Sequence, residues 1–163
     1  MIIDALLQFS GSIVGNTVTG QSLVGTGTIT STNVIDLAGV GVGNTARDIG
    51  MGEDTEIVVE VSTTFAGGTS LQVQLVTSDD AAVSVNVTPI MLSPVFLEAS
   101  LVAGAQLLLQ VDRAALSNAA RRYLALQYIV VGTNTAGAVT ATIAKNVQDK
   151  GNNTIFNSGY SVS

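Results

Sequence analysis

The chain has no cysteine, no histidine, no tryptophan and only two prolines. Without cysteine there are no disulfides, and without cysteine or histidine a zinc site of the usual kind is excluded. Acid–base catalysis by imidazole is excluded as well. Basic residues are scarce too. The six are Arg47, Arg113, Arg121, Arg122, Lys145 and Lys150, against twelve acids, for a net charge of −6. Neutralising phosphates takes clustered Lys and Arg, so neither nucleic acid nor an anionic membrane is an expected partner. No apolar run of about twenty residues occurs, so no membrane-spanning helix is expected. The first residues, MIIDALLQF, carry Asp4 and lack the positive start of a secretory signal, and the protein is expected to be made and used without export. Together these absences predict a protein that is no enzyme and needs no metal or cofactor.

What remains is apolar and neutral. Hydrophobic residues make up 47% of the 163 and charged residues only 11%, about half the usual share. Their place is taken by Thr, Ser, Asn, Gln and 17 Gly. A free monomer normally keeps more charge for solubility, so much of this surface is expected to be interface, and a homo-oligomer, dimer or trimer, is expected.

The chain is organised around residues 31–60, where a short run at 33–37 leads through a glycine-rich stretch into a strongly alternating strand. There Ile57, Val59 and Val61 fall on one face and Val58, Glu60 and Ser62 on the other, the period-two pattern of a half-buried strand. Further strands are predicted at 22–30, 55–63, 69–78, 83–88, 107–111, 123–131 and 137–147. Ala66–Thr69 and Gly132–Ala136 read as hairpin turns, and Pro89 and Pro94 mark an edge or corner. The predicted inward set is Ile57, Val59, Val61, Leu71, Val73, Leu75, Val85 and Ile143. No 20- to 50-residue repeat is present. The fold class expected is all-β, a single-domain jelly-roll-like sandwich of about eight strands. It spans 22–147, with an N-terminal arm at 1–21 and a C-terminal tail at 148–163.

Few residues could carry chemistry. Gly39, Gly41 and Gly43 suggest a phosphate loop, but neither the dinucleotide spacing nor a following Lys-Ser/Thr is met. Asp79-Asp80 and Glu53-Asp54 fit a carboxylate pair or a calcium site only if their side chains converge, and adjacent strand residues diverge. Solvated turn acids are the simpler reading. Arg47, Arg121 and Arg122 are each either an anchor across an interface or the closure of a local loop. Apolar side chains remain outside the strands at both ends, Ile2, Ile3, Leu6, Leu7 and Phe9 at one and Ile155, Phe156 and Tyr160 at the other. They either pack on a partner or cover the ends of their own domain.

The segments STNVIDL (31–37), ARDIGMGE (46–53), LQVQL (71–75), TSDD (77–80), RYLALQY (122–128) and TAGAVTA (135–141) occur in an order and spacing that resembles the small jelly-roll capsid cement, or decoration, proteins of tailed bacteriophages, of the kind found on a Bordetella phage. The glycine loop 39–45, the segment 89–100 and both termini depart from that pattern. The resemblance implies a structural protein on the outer surface of a phage head, assembled in the host cytoplasm, with the major capsid protein as partner and no catalytic residues. A carbohydrate-binding jelly-roll module is the alternative, weakened by a 4% aromatic content that leaves little to stack on sugars.

Overall fold

The computed structural model describes residues 7–14, 17–37, 55–111 and 121–144. The chain is all-β, as its alternation predicts. Eleven strands are formed by the described residues, and one 3-10 turn, Glu98–Ser100, interrupts them.

Two very long strands form the spine, β7 (Thr55–Ser78) and β11 (Tyr123–Ala144). They pair antiparallel along their whole length, from Tyr123 opposite Ser78 to Ala144 opposite Glu56. This corrects the two hairpins expected from the sequence. Neither 66–69 nor 132–136 reverses the chain; both are bends inside one strand, with successive register shifts between Val131 and Val139. Glycine makes the bend possible without breaking the ladder. Gly67, Gly132 and Gly137 have φ of 84°, 82° and 144°, values that side chains resist. At Gly137 there is also no room, because a Cβ there would lie 2.6 Å from the Phe65 ring.

Bending a paired ribbon folds its sheet back over itself, so one sheet supplies both layers of a jelly-roll-like sandwich. The first layer runs β1 (Gln8–Ser10), β11, β7, β10 (Gln106–Val111). In the second, β5 (Gly25–Thr30) and β6 (Ile35–Asp36) flank β11, while β8 (Thr88–Leu92) and β9 (Phe96–Leu97) flank β7. The short strand β4 (Gln21–Ser22) pairs with β11 at Ala138 and Val139. A separate ribbon of β2 (Ser12–Val14) and β3 (Thr17–Thr19) pairs only with itself among the described residues.

The inward residues of both layers meet in one core, where Ile57, Val59 and Val61 join Leu71, Val73, Leu75, Leu126, Tyr128 and Ile143. Burying each such aliphatic side chain is worth about 1.5–3 kcal/mol against the ordering cost. Tyr128 is fully buried; its hydroxyl shares a 2.7 Å hydrogen bond with Ser10 Oγ, and burial pushes its pKa upward.

One predicted inward residue is outside. Val85 is 48% exposed, and 83–87 is a loop rather than a strand. The cause is Asp80, whose carboxylate gathers the loop around itself. It accepts from Ser84 Oγ at 2.7 Å, Ser78 Oγ at 2.7 Å, Val85 N at 2.9 Å and Ser84 N at 2.8 Å. Val83 and Asn86 adopt left-handed φ of 55° and 49° within that turn. The real strand begins at Thr88 and includes Pro89, which a strand paired to one neighbour tolerates.

Candidate interface surfaces

The residues singled out for interfaces divide into three groups. Phe9 is fully buried and Leu7 packs against the same core, so these two cover the end of their own domain. The arm boundary at residue 21 is corrected accordingly, because β1 is a strand of the main sheet, opposite Ala141 and Thr142. Alternation around Phe9 was too short to reveal this pairing. Ile2, Ile3, Leu6, Arg47, Ile155, Phe156 and Tyr160 lie outside the described residues, as does the 39–45 glycine loop.

Arg121 and Arg122 are the third group, and both close contacts within the chain. Arg121 Nη1 donates to both Asp79 oxygens at 3.0 Å, and its backbone N–H donates to Thr77 Oγ1 at 2.6 Å. Arg122 forks onto Asp36, Nε to Oδ1 and Nη2 to Oδ2, each at 3.0 Å, and lies 4.9 Å over the Tyr123 ring. Each guanidinium thus gives part of its five N–H donors to a carboxylate of its own chain, which fixes its position at the surface.

The adjacent acids Asp79 and Asp80 have separate duties. Asp79 is held below the usual carboxylate range by Asn86 and then Arg121. Asp80 is lowered further, chiefly by Ser84 and Ser78. Every Asp80 contact is a donor, so the carboxylate is consumed by the loop. Among the described residues no group of three or more acids is placed to hold a metal ion.

What the sequence reading missed is a surface. On the outward side of the second layer, cross-strand pairs align Thr30, Gln127, Gln74 and Leu92 in one row. Thr28, Ile129 and Gln72 form the next, and Val131, Ser70 and Leu97 a third. None is charged. Gln74 Nε2 donates to Gln127 Oε1 at 2.7 Å, and Gln72 Nε2 donates to Ser93 O at 3.3 Å. Leu97 is 63% exposed, Val131 50%. Beyond this face the 79–87 loop folds over Val76 and Ala125, where Val83 makes a small second cluster with them. The face is thus what that loop leaves open.

The second missed surface is the β2–β3 ribbon. Val14 is 75% exposed and Val18 56%, and residues 12–19 contain no charge. The available signal was the long uncharged runs at 61–78, 81–97 and 123–144, which exceed what an alternating strand needs for its inward face alone. The aromatic side chains of the described residues offer no open platform: Phe9, Phe65 and Tyr128 are buried, and Phe96 and Tyr123 are partly so.

No curated protein matches the chain. The sequence model of the Bbp16 family, in contrast, matches residues 18–143, a span that takes in β7, β11 up to Ile143, the bends within them and the β5, β8 and β10 flanks. The chain therefore belongs to the Bbp16 family, a family of Bordetella phage proteins.

Proposed function

We propose that this protein is a capsid cement, a non-catalytic protein of the virion that binds the outer surface of a phage head and bridges neighbouring major capsid protein subunits. The observation that carries the reading is a phage-family domain whose described arginines and turn acids pair within the chain, while an uncharged sheet face and an uncharged ribbon are left uncovered. Exposed apolar side chains gathered on defined surfaces mark contact sites, whereas scattered ones do not. Partners are the major capsid protein and other copies of the chain, in a dimer or trimer.

Such a protein acts by mass action on the assembled shell. Each contact is modest, and repetition over a lattice makes successive contacts effectively intramolecular. Catalysis has no part in this. The test is co-sedimentation of the purified protein with cognate heads from which it has been stripped, alongside unassembled capsid protein. Saturable binding to heads supports the reading; recovery of the protein only in the supernatant at all ratios ends it.

A further inference from the structure

Most strands at the margins of this sheet are blunted in ways that discourage a second chain from pairing with them. Among the described residues β1 has three residues, and β4, β6 and β9 have two each. β5 contains Gly25 and Gly27 at positive φ, and β8 contains Pro89. β10 is the exception. It ends the row β1, β11, β7, β10, and its sequence QLLLQV has no charge, proline or glycine.

The register shows which way its backbone groups point. Val61 on β7 turns both of its groups to this side, donating its N–H to Ala105 O at 2.9 Å and accepting from Gly104 N at 2.8 Å. Backbone direction alternates along an antiparallel strand. Val59, Ile57 and Thr55 therefore also turn toward β10, and their partners Leu107, Leu109 and Val111 turn back toward β7. That leaves Gln106, Leu108 and Gln110 aiming their N–H and C=O groups at the outer margin, where no described strand receives them. Such a row is a template for one more antiparallel strand.

We propose that the strand it receives is β10 of a second copy, related by a two-fold axis at Leu108, so that the sheets of two molecules join into one. The sequence selects this occupant. A two-fold contact requires that residue i meet j wherever j meets i, and QLLLQ, residues 106–110, reads the same in both directions about Leu108. Antiparallel pairing centred there sets Leu108 opposite Leu108 of the partner subunit and Gln106 opposite Gln110 of the partner subunit. Every outward N–H of the three residues then meets a C=O. The side chains match as well. Leu108, 37% exposed, meets leucine, and the amides, which both donate and accept, meet each other. A register slipped by two residues would set Leu108 against glutamine instead, so the palindrome fixes the alignment as well as the partner. Charge does not oppose it. Glu60 and Glu56 stand beside Gln106 and Gln110 on β7, which puts Glu60 three strand spacings, about 14 Å, from Glu56 of the partner subunit. Salt at physiological strength screens exposed charges beyond about 8 Å.

This contact deepens the self-association in the proposed function and rests on that part of it alone. It leaves the open face and the ribbon to the shell, and it selects a dimer over a trimer, because a two-fold axis uses up the β10 margin of both copies. The test joins sedimentation equilibrium over a concentration series with cross-linking. Leu108→Pro removes an N–H that points away from β7, a place where an edge strand tolerates proline, while the dimer loses both hydrogen bonds donated at its axis. Wild type is expected to be a reversible dimer, and Leu108→Pro to need a concentration at least about tenfold higher to associate. Because the chain has no cysteine, Leu108→Cys reports on the axis directly, however well proline is tolerated. Cα atoms facing each other in such a pair lie about 5.5 Å apart, within disulfide range. Mild oxidation should link Leu108→Cys into dimers and leave Val85→Cys, at a more exposed site, as single chains. A monomeric wild type, a folded Leu108→Pro variant that associates as wild type does, or equal cross-linking of the two cysteine variants would each overturn the proposal. Binding to heads is scored separately. A dimer that ignores heads removes the cement reading and leaves this contact, and a monomer that binds heads does the reverse.

Discussion

The first and second halves of the β7–β11 pair are built alike on the inside and differently on the outside. In both, alternate residues point into one core, Ile57, Val59 and Val61 from the first and Leu71, Val73 and Leu75 from the second. Outward, the first half carries Glu56 and Glu60, each flanked across the ladder by a β10 glutamine, Gln110 and Gln106. The second half carries Ser70, Gln72 and Gln74 and no charge at all. The same two strands run through both, so strand formation does not explain the contrast. Charge is present on the outward side of the first half and absent from that of the second, a difference that costs solubility and favours contact.

If inside and outside are as different as this, adjacent residues must respond very differently. Leu126→Ala, in the fully buried row, is expected to destabilise by about 2–5 kcal/mol. Gln127→Ala, one residue along on the open face, loses a single amide hydrogen bond to Gln74 and is expected to cost no more than about 1 kcal/mol. Urea denaturation of both measures the gap, and equal losses would contradict the assigned facing.

The bend that separates the halves is the next place to press. Gly137→Ala adds a methyl within 2.6 Å of Phe65, at a φ of 144°, and is expected to cost about 1–3 kcal/mol by thermal or chemical unfolding. A neutral result would show that the spine relaxes freely at this point.

Acid should act on the second half first. The folded-state pKa of Asp80 is depressed, so its contribution is complete above the unfolded value of about 3.9 and fades as pH falls below it. A plot of melting temperature against pH should therefore drop more steeply for wild type than for Asp80→Asn below pH of about 4. The smallest stability effect is expected for Leu97→Ser, within about 0.5 kcal/mol of wild type, because that side chain touches mostly solvent. Its loss should appear in binding to heads instead.

These contrasts also show where the sequence was legible. Alternation revealed the strands at 55–63, 69–78 and 123–131 and seven of the eight inward residues, because a pleated strand writes its burial directly into period two. It did not reveal partners. Gly67-Gly68 and Gly132 signal a change of direction equally well as a turn or as a bend, and only long-range pairing decides between them. Val83, Val85 and Val87 alternate as well as any strand, yet four hydrogen bonds to Asp80 outweigh a propensity worth at most about 1 kcal/mol. Arg121 and Arg122 could not be assigned because their partners, Asp79 and Asp36, lie 42 and 86 residues away. The open face escaped notice for a related reason: its rows are assembled from β5, β11, β7, β8 and β9, and no local window contains one.

The claim that most depends on all of this is that the protein holds a shell together. The direct measurement is the temperature at which cognate heads rupture, followed by DNA release or light scattering, for bare heads and for heads saturated with the protein. The account predicts a higher rupture temperature for the decorated heads, rising with occupancy; identical temperatures at full occupancy would contradict it.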